Sequence, residues 1–334
     1  MASSSSVAKA REPTISKTFP RDGLSVTAGE IGARYVVIAK EATLYVVNLV
    51  DNSLHTLQEK GSPIWSLALH EDKNLFVTGA TGGELQIWSL ETKSVIRSLK
   101  GHTATVRSLQ IVDDTTLISG GRDSTICIWD LDSDINEPRL VLKGHTETVR
   151  CLKVHGGVLV SEGNDGDARV WDIRTGQCLH VLKGHTGVLY ALCFDGDRIV
   201  TGSLDSTIRV WDPQSGACLE VLSGHNGLIT RLSLQGDTLI SADSVGTVKM
   251  WCLSKASGRT LAEERDASVT SLVADGERIF FGNTNGSAYL VHPESGASET
   301  IVAGADAVWK VGFTSSNRPY MVYLKAGDTH MDIF

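Results

Sequence analysis

Short runs that alternate apolar and polar residues recur along the chain, and they predict β-strands rather than helices. Five of these runs end in tryptophan: ELQIW, TICIW, DARVW, TIRVW and TVKMW. Those tryptophans (Trp88, Trp129, Trp171, Trp211 and Trp251) stand 41, 42, 40 and 40 residues apart. A constant interval of this size indicates repetition of one supersecondary unit.

Weaker copies of the run continue the same period toward both ends of the chain. TLYVVN ends at Asn48, SAYLV ends at Val291 and HMDI ends at Ile333. Together with the five clear runs they predict an all-β fold of eight four-stranded units. Seven units is the alternative if one degenerate copy does not form a sheet.

The eighth unit ends at Phe334 after only three predicted strands. The stretch PTISKTFP, residues 13–20, is expected to supply the missing outer strand, so that the two chain ends close a ring without an open sheet edge. Residues 13–334 are therefore expected to form one domain. Residues 1–12 are Ser-rich and polar and are expected to be disordered.

Paired motif residues mark each clear unit. Gly-His opens four units, at His102, His145, His185 and His225, and an aspartate follows the closing tryptophan at Asp130, Asp172 and Asp212. With this period and these pairs, the sequence resembles the WD-repeat (WD40) family, whose units each form one blade of a β-propeller.

The same resemblance implies a structural role for most of the polar motif residues. Each set would form a hydrogen-bonded chain from carboxylate to imidazole to hydroxyl to indole, which satisfies buried donors. The sets are His102, Ser119, Asp123 and Trp129; His145, Ser161, Asp165 and Trp171; and His185, Thr201, Asp205 and Trp211. A set that repeats in every unit argues against a catalytic triad. No nucleotide-binding, metalloprotease or hydrolase motif occurs either, so we expect no enzyme, no cofactor and no metal.

Composition narrows the classes of partner. The net charge of −8 does not indicate binding to nucleic acid, and no apolar run is long enough to cross a bilayer. The six cysteines include no CxxC pair, which is typical of a reducing compartment, so we expect the cytoplasm or the nucleus.

Superposing the units reveals two variable positions, and the propeller geometry that the resemblance implies places both on one face. The first position follows the apolar residue that opens each innermost strand, and its neighbours are apolar or small. It reads Thr27, Trp65, Arg107, Arg150, Tyr190, Thr230, Thr270 and Trp309. The second position precedes the turn aspartate or its equivalent. It reads Lys40, Thr81, Arg122, Asn164, Leu204, Ser244, Thr284 and Lys325.

Three arginines thus converge on one rim between two aromatic residues. Arg107, Arg122 and Arg150 have no obvious acidic partner, and an unpaired charge is costly to desolvate. Guanidinium groups match phosphate in geometry, so the cluster predicts an anion site. Trp65 and Tyr190 would hold an apolar neighbour of the phosphate, such as proline. Lys40 and Lys325 are expected to widen the basic rim.

Units three to six also resemble the propellers of F-box/WD-repeat substrate receptors of cullin–RING ubiquitin ligases. The stretches HTETVRCL, VWDIRTGQCLHVLKGHTG and DGDRIVTGSLDSTIRVWDPQSGACL carry this resemblance. It implies that Arg107, Arg122 and Arg150 hold a phosphothreonine-proline motif beside Trp65 and Thr81. Asn164 departs from the tyrosine that the family often has.

No F-box helices are expected in the short segment before residue 20. The sequence therefore predicts a non-catalytic, monomeric propeller that binds phosphorylated linear motifs in proteins and would reach ubiquitin-ligase components through another chain. The alternative is a scaffold that binds protein partners independently of phosphorylation.

Overall fold

The computed structural model of the protein describes residues 12–20, 25–58, 61–264, 267–314 and 316–334. Its strands form eight four-stranded antiparallel sheets, and the fold is an eight-bladed β-propeller. This confirms the predicted fold class and blade number. Of the N-terminal tail predicted to be disordered, residues 1–11 lie outside the described residues.

The chain divides into two compact units, and the larger comprises Leu24–Leu234. Its blades 1 to 5 each run outward from a first strand, and the first strands of neighbouring blades contact one another. In blade order the strands are β2 (Val26–Ile31), β3 (Tyr35–Lys40), β4 (Thr43–Asn48) and β5 (Leu54–Gln58); β6 (Ile64–His70), β7 (Leu75–Ala80), β8 (Leu85–Ser89) and β9 (Val95–Leu99); β10 (Val106–Ile111), β11 (Thr116–Gly121), β12 (Thr125–Asp130) and β13 (Leu140–Lys143); β14 (Val149–His155), β15 (Val158–Gly163), β16 (Ala168–Asp172) and β17 (Cys178–Leu182); and β18 (Leu189–Phe194), β19 (Ile199–Ser203), β20 (Ile208–Trp211) and β21 (Cys218–Leu222).

The smaller unit joins the N-terminal segment to Gln235–Phe334. Blade 6 consists of β22 (Ile229–Gln235), β23 (Thr238–Asp243), β24 (Thr247–Cys252) and β25 (Ser257–Glu263). Blades 7 and 8 consist of β26 (Val269–Ala274), β27 (Ile279–Asn283), β28 (Ala288–Val291) and β29 (Ser298–Val302), and of β30 (Ala307–Phe313), β31 (Pro319–Lys325), β32 (Asp328–Ile333) and β1 (Ile15–Phe19).

The outer strand of blade 8 comes from the N-terminal segment. β1 pairs antiparallel with β32, from Ile15 opposite Ile333 to Phe19 opposite Thr329. Phe19 is buried, and Ser16 donates a 2.6 Å hydrogen bond to Asp332. The predicted pairing of residues 13–20 with the last unit is therefore present.

The core of the molecule lies between neighbouring blades, so the middle strands are apolar on both faces. In β12, Cys127 and Trp129 pack with residues of blade 2, whereas Ile126 and Ile128 pack with residues of blade 4. All four are fully buried or nearly so. Burial of one such side chain stabilises the fold by about 1.5–3 kcal/mol. Analogous clusters lie between blades 1 and 2 and between blades 4 and 5.

The innermost strands of blades 1 to 5, 7 and 8 have a β-bulge near their start, which explains the variable position. In β10, Val106 pairs with Gly121 and Ser108 pairs with Gly120, so Arg107 is the additional residue between them. β14 has the same shift around Arg150. A bulged residue has no partner in the strand ladder, and its side chain is redirected away from the sheet. The bulge therefore frees this position from the packing that constrains its neighbours.

Helical structure in the described residues is limited to a 3₁₀ turn at Leu253–Lys255. No helix in that part of the chain combines the length and the apolar character that a membrane span requires.

Candidate functional site

Hydrogen-bonded chains from carboxylate to indole are present in blades 3, 4 and 5, as the resemblance implied. In blade 3, His102 Nδ1 lies 2.9 Å from an Asp123 oxygen and its Nε2 lies 2.8 Å from Ser119 Oγ, which also accepts the Trp129 indole N–H at 2.8 Å. The corresponding distances lie between 2.8 and 2.9 Å in blades 4 and 5. These side chains are largely buried, and their hydrogen bonds are made to other groups of the same blade.

The chemical nature of these groups determines which atom donates each hydrogen bond. A carboxylate only accepts hydrogen bonds, so the imidazole Nδ1 donates, Nε2 accepts the serine or threonine O–H, and the hydroxyl oxygen accepts the indole N–H. Burial would raise the pKa of Asp123, but hydrogen bonds from His102, the Thr103 N–H and Thr125 outweigh it and hold the pKa well below its usual range. The imidazole therefore positions a structural carboxylate and does not activate a nucleophile.

The two variable positions of a blade lie next to each other in blades 2, 3, 4, 5 and 7, because a backbone hydrogen bond links the two segments that contain them. The amide of the second-position residue donates to the carbonyl of the residue that precedes the innermost strand. The pairs are Thr81 to Pro63, Arg122 to Thr105, Asn164 to Thr148, Leu204 to Val188 and Thr284 to Ser268, at 2.8–2.9 Å. The turn side chain and the bulge side chain of a blade are therefore neighbours.

Aromatic rings flank two of the three arginines. The Arg107 guanidinium lies 4.9 Å from the centre of the Trp65 ring, and the Arg150 guanidinium lies 4.4 Å from the centre of the Tyr190 ring. The Trp65 indole N–H donates a 3.0 Å hydrogen bond to Thr81 Oγ1. A ring against one face of a guanidinium limits its orientation and leaves its N–H edge available to a ligand.

The three guanidinium groups are close enough to influence one another. Burial lowers the pKa of Arg107, and the positive charges of Arg150 and Arg122 lower it further. Among the ion pairs of the described residues, none involves Arg107, Arg122 or Arg150. Like charges that converge without an ion-paired carboxylate form a site that favours an anionic ligand.

A cavity of about 310 Å³ extends from this rim along the innermost strands of the larger unit. Its lining includes Trp65 and Arg107 at the rim and Ser108, Cys151 and Lys153 further along the wall. The described part of the chain contains no cluster of histidine, cysteine or acidic side chains arranged to hold a metal ion.

Two predicted rim residues are displaced by one position. Lys40 pairs with Val26 inside β3, is 1% exposed and lies 5.9 Å from the Tyr45 ring, so the assignment of Lys40 to the second position is wrong and Glu41 occupies it. In blade 8 the second position is Leu324 rather than Lys325, which is the exposed last residue of β31 and pairs with Asp328. Both blades have two-residue turns without the aspartate that anchors the alignment elsewhere.

Two charged residues near the rim were missed by the sequence comparison. Arg231 occupies the third position of β22, where most blades have a small residue; its own desolvation lowers its pKa, and the charge of Arg150 contributes to the lowering. Glu162 lies fully buried on β15 beneath Arg150. The signal was available, because each breaks a column that is otherwise small or apolar. At Asn164 the side-chain Oδ1 is buried without a partner among the described residues.

Comparison with known proteins identifies the repeats. The WD domain, G-beta repeat model matches residues 51–89, 93–130, 136–172 and 176–212. A crystal structure of the computationally designed Ika8 protein superposes with a TM-score of 0.84 and 25% identity, covering 95% of this chain and 98% of that chain.

Curated relatives share only part of their length with this chain. It is 27% identical over 181 residues to the WD repeat-containing protein pop2 of Schizosaccharomyces pombe, which covers 44% of this chain and 26% of that protein. It is 30% identical over 149 residues to Mitochondrial division protein 1 of Kluyveromyces lactis, covering 38% of this chain and 21% of that protein. The chain thus spans about a quarter or less of the length of these relatives.

Proposed function

Because the chain is a member of the WD40-repeat family, we propose that it is a non-catalytic protein-interaction propeller whose arginine rim binds phosphothreonine-proline or phosphoserine-proline peptides. One observation carries the proposal: three guanidinium groups converge at a rim and none of them is ion-paired among the described residues. Like charges held close together repel one another, and an anionic ligand would compensate them.

A phosphoryl group matches this rim better than a single carboxylate does. A phosphate dianion offers several acceptor oxygens, and each guanidinium can donate two parallel N–H groups to it. Arg107 and Arg150 are held by aromatic rings, so they lose little conformational entropy on binding. The indole face beside Thr81 offers an apolar surface for the proline that follows the phosphorylated residue.

The likeness to F-box/WD-repeat receptors supports a role in recognising substrates for ubiquitination. In such a role the propeller would hold the phosphorylated substrate, and another chain would supply the contact with the ligase. The phosphopeptide specificity can be tested without knowing that partner.

The decisive experiment measures fluorescence anisotropy of a labelled threonine-proline peptide in its phosphorylated and unphosphorylated forms. We expect the wild-type protein to bind only the phosphorylated form. We expect a variant with Arg107→Ala, Arg122→Ala and Arg150→Ala together to lose that binding, because the phosphate oxygens of the peptide would no longer have these charged hydrogen-bond donors. Equal binding of both forms by the wild type would contradict the proposal.

A second arginine of blade 4, the blade that contains Arg150, provides the matched control. Arg174 is exposed in the turn between β16 and β17, outside the rim. Arg174→Ala removes one positive charge, as each of the three rim substitutions does, and should leave phosphopeptide affinity unchanged. A loss of affinity in this control as large as that in the triple variant would indicate non-specific attraction by net charge instead of a defined site.

A second candidate function is a scaffold that binds folded partners independently of phosphorylation. The observation that favours it is the set of exposed aliphatic side chains on the outer strands of blades 2 to 5: Val95, Ile96, Val141, Leu179, Val181, Leu219 and Val221. Apolar side chains on an outer strand can pack against a partner. A partner that binds the triple arginine variant and the wild type equally, with or without phosphatase treatment, would favour this function.

A further inference from the structure

Glu162 is the feature of the rim region that phosphopeptide binding leaves unexplained. It lies on β15 between Cys151 of β14 and Ala168 of β16, and its exposed fraction is 0%. Neither oxygen of its carboxyl group has a hydrogen-bond partner among the described residues. Buried polar groups are nearly always hydrogen-bonded in native proteins, so this exception requires a physical reason.

The other blades show that the fold does not need a carboxyl group at this position. The equivalent residues are Ala39, Gly79, Gly120, Gly202, Ala242, Gly282 and Val322. A Cβ atom at any of the four glycines would approach the first side chain of the next blade to 2.3–2.8 Å. The position therefore faces a crowded contact between blades, where blade 4 places a glutamate.

The titratable groups that act electrostatically on the carboxyl group of Glu162 are two cationic side chains and two thiols. From β14, Arg150 and Lys153 act on it electrostatically, and Cys151 lies opposite it in the ladder. From β18, Cys193 lies within electrostatic range. Burial raises the pKa of Cys151 to about 12 and that of Cys193 to about 11, so both thiols stay neutral in ordinary buffers.

The remaining charged and titratable side chains on the packed strands have other partners. On β16, Arg169 bonds Asp165 at 2.8 Å and Asp167 at 3.4 Å. On β18, the Tyr190 ring lies against the Arg150 guanidinium. Burial raises the pKa of Glu162 to about 8, although Arg150 and Lys153 oppose this shift. Glu162 is therefore neutral at neutral pH and ionises next to Arg150 in mildly alkaline solution.

We propose that Glu162 is a specificity-determining residue of the anion-binding rim, because its protonation sets how much of the Arg150 charge an anionic ligand can use. This inference rests on the arginine rim of the proposed function. With Glu162 neutral, Arg150 has no internal carboxylate and binds the ligand. With Glu162 ionised, the carboxylate neutralises Arg150 from inside and repels the incoming anion.

Thermodynamic linkage makes the effect reciprocal. An anion bound at Arg150 favours the protonated form of Glu162, so binding at a pH near the pKa of Glu162 takes up a proton. The rim would therefore bind a dianion most strongly below this pH and would release it above.

Sulfate is a suitable probe, since it remains a dianion throughout the range in which Glu162 titrates. Its affinity can be obtained from the rise in thermal unfolding midpoint with sulfate concentration, at about pH 6.5 and about pH 9. For the wild type we expect affinity to fall about five- to tenfold between these two conditions. For Glu162→Gln, whose side chain cannot ionise, we expect the same affinity at both.

Two further variants make the result interpretable. Glu162→Gly introduces the residue that four other blades carry, so it tests the same loss of titration in a second, fold-compatible form. Glu147→Gln removes an exposed carboxylate that precedes β14 in the same blade, and it should keep the wild-type pH dependence. A wild-type pH dependence that persists in both Glu162 variants would overturn the proposal.

The failure of this inference can be distinguished from failure of the proposed function. The variant without Arg107, Arg122 and Arg150 serves as the baseline. Any rise in its thermal unfolding midpoint with sulfate is unrelated to binding at the rim. If sulfate stabilises the wild type more than that variant, with the expected pH dependence, the role of Glu162 stands even when no phosphopeptide binds. If sulfate stabilises both proteins equally at each pH, the rim binds no anion and the proposal for Glu162 is wrong.

Discussion

Blades 3 and 4 contain two sets of polar residues that differ in one respect. The buried histidines, aspartates and hydroxyls behind the rim are all hydrogen-bonded to one another, and each chain ends on a tryptophan. The arginines at the rim have aromatic neighbours but no acidic partner among the described residues. Where the fold requires a polar group, it supplies the partner; the charges without an acidic partner are those that we propose to bind a ligand.

The largest expected effect is a difference in unfolding free energy between substitutions of two tryptophans. One belongs to a buried hydrogen-bonded chain and the other lies at the arginine rim. Trp129 is 1% exposed and donates to Ser119, whereas Trp65 is 37% exposed and lies against Arg107. We expect Trp129→Ala to lower the free energy of unfolding by about 3–5 kcal/mol, the usual cost of removing a buried aromatic side chain. Trp65→Ala should lower it by less than about 1 kcal/mol and weaken phosphopeptide binding instead.

Denaturant titrations monitored by circular dichroism would measure both changes. Trp129→Phe is the useful control, since it keeps most of the apolar volume and removes only the indole N–H donor. Similar destabilisation by the two alanine variants would contradict the distinction between a structural and a ligand-facing tryptophan.

Single substitutions of the rim arginines should differ from Trp129→Ala, because we expect them to weaken binding and to leave the stability of the fold nearly unchanged. We expect Arg107→Ala, Arg122→Ala and Arg150→Ala each to weaken binding of a phosphothreonine-proline peptide by about 1.5–3 kcal/mol, the range for a hydrogen bond to a charged group. Stability should change by less than about 0.5 kcal/mol, because these residues have no acidic partner among the described residues. Isothermal titration calorimetry and thermal unfolding would measure the two quantities.

A matched substitution in the hydrogen-bonded set sharpens this contrast. Ser119→Ala removes the hydroxyl that links His102 to Trp129 and should destabilise blade 3 without changing affinity in the folded fraction. Binding that falls with Ser119→Ala as much as with Arg122→Ala would show that the rim depends on the blade interior, against our interpretation.

The repeat explains how much of this could be predicted from the sequence. Blade number followed from spacing, because Trp129 and its equivalents recur at a fixed interval. The hydrogen-bonded chains were implied by the resemblance to the WD-repeat family, and the structure contains them in blades 3, 4 and 5. The β-bulge at Arg107 could not be predicted, since strand register is set by pairing that the sequence does not display. Lys40 was misplaced for the same reason: its blade lacks the turn aspartate that fixes the alignment.

Glu162 was missed for a different reason. The comparison of the units singled out the two columns that vary in most blades, and it passed over the column in which only blade 4 carries a charged residue. Its burial could be recognised only from the packing of blade 4 against the next blade.

The unpaired carboxyl group of Glu162 should make stability fall as pH rises. Its pKa is about 8 in the folded protein and close to the ordinary glutamate value of 4.5 in the unfolded chain. Between those two values the folded state keeps a proton that the unfolded state has released, so each pH unit favours unfolding by at most about 1.4 kcal/mol. Urea titrations from pH 5 to about pH 8 should show this slope in the wild type, and Glu162→Gln should reduce it.

The paired carboxylates should give the smaller effect, of opposite sign and in the acid range. Burial would raise the pKa of Asp205, but hydrogen bonds from Thr207, the Thr186 N–H and His185 lower it from 3.8 to about 2. The unfolded chain therefore binds the proton first on acidification, and stability that is present above pH 4 is lost as pH falls toward 2. We expect Asp205→Asn to remove on the order of 1 kcal/mol of this acid dependence in urea titrations. Glu162 is expected to lower stability as pH rises. If an aspartate of the hydrogen-bonded set did the same, hydrogen bonding would not distinguish the residues that stabilise the blades from those that we propose to act on a ligand.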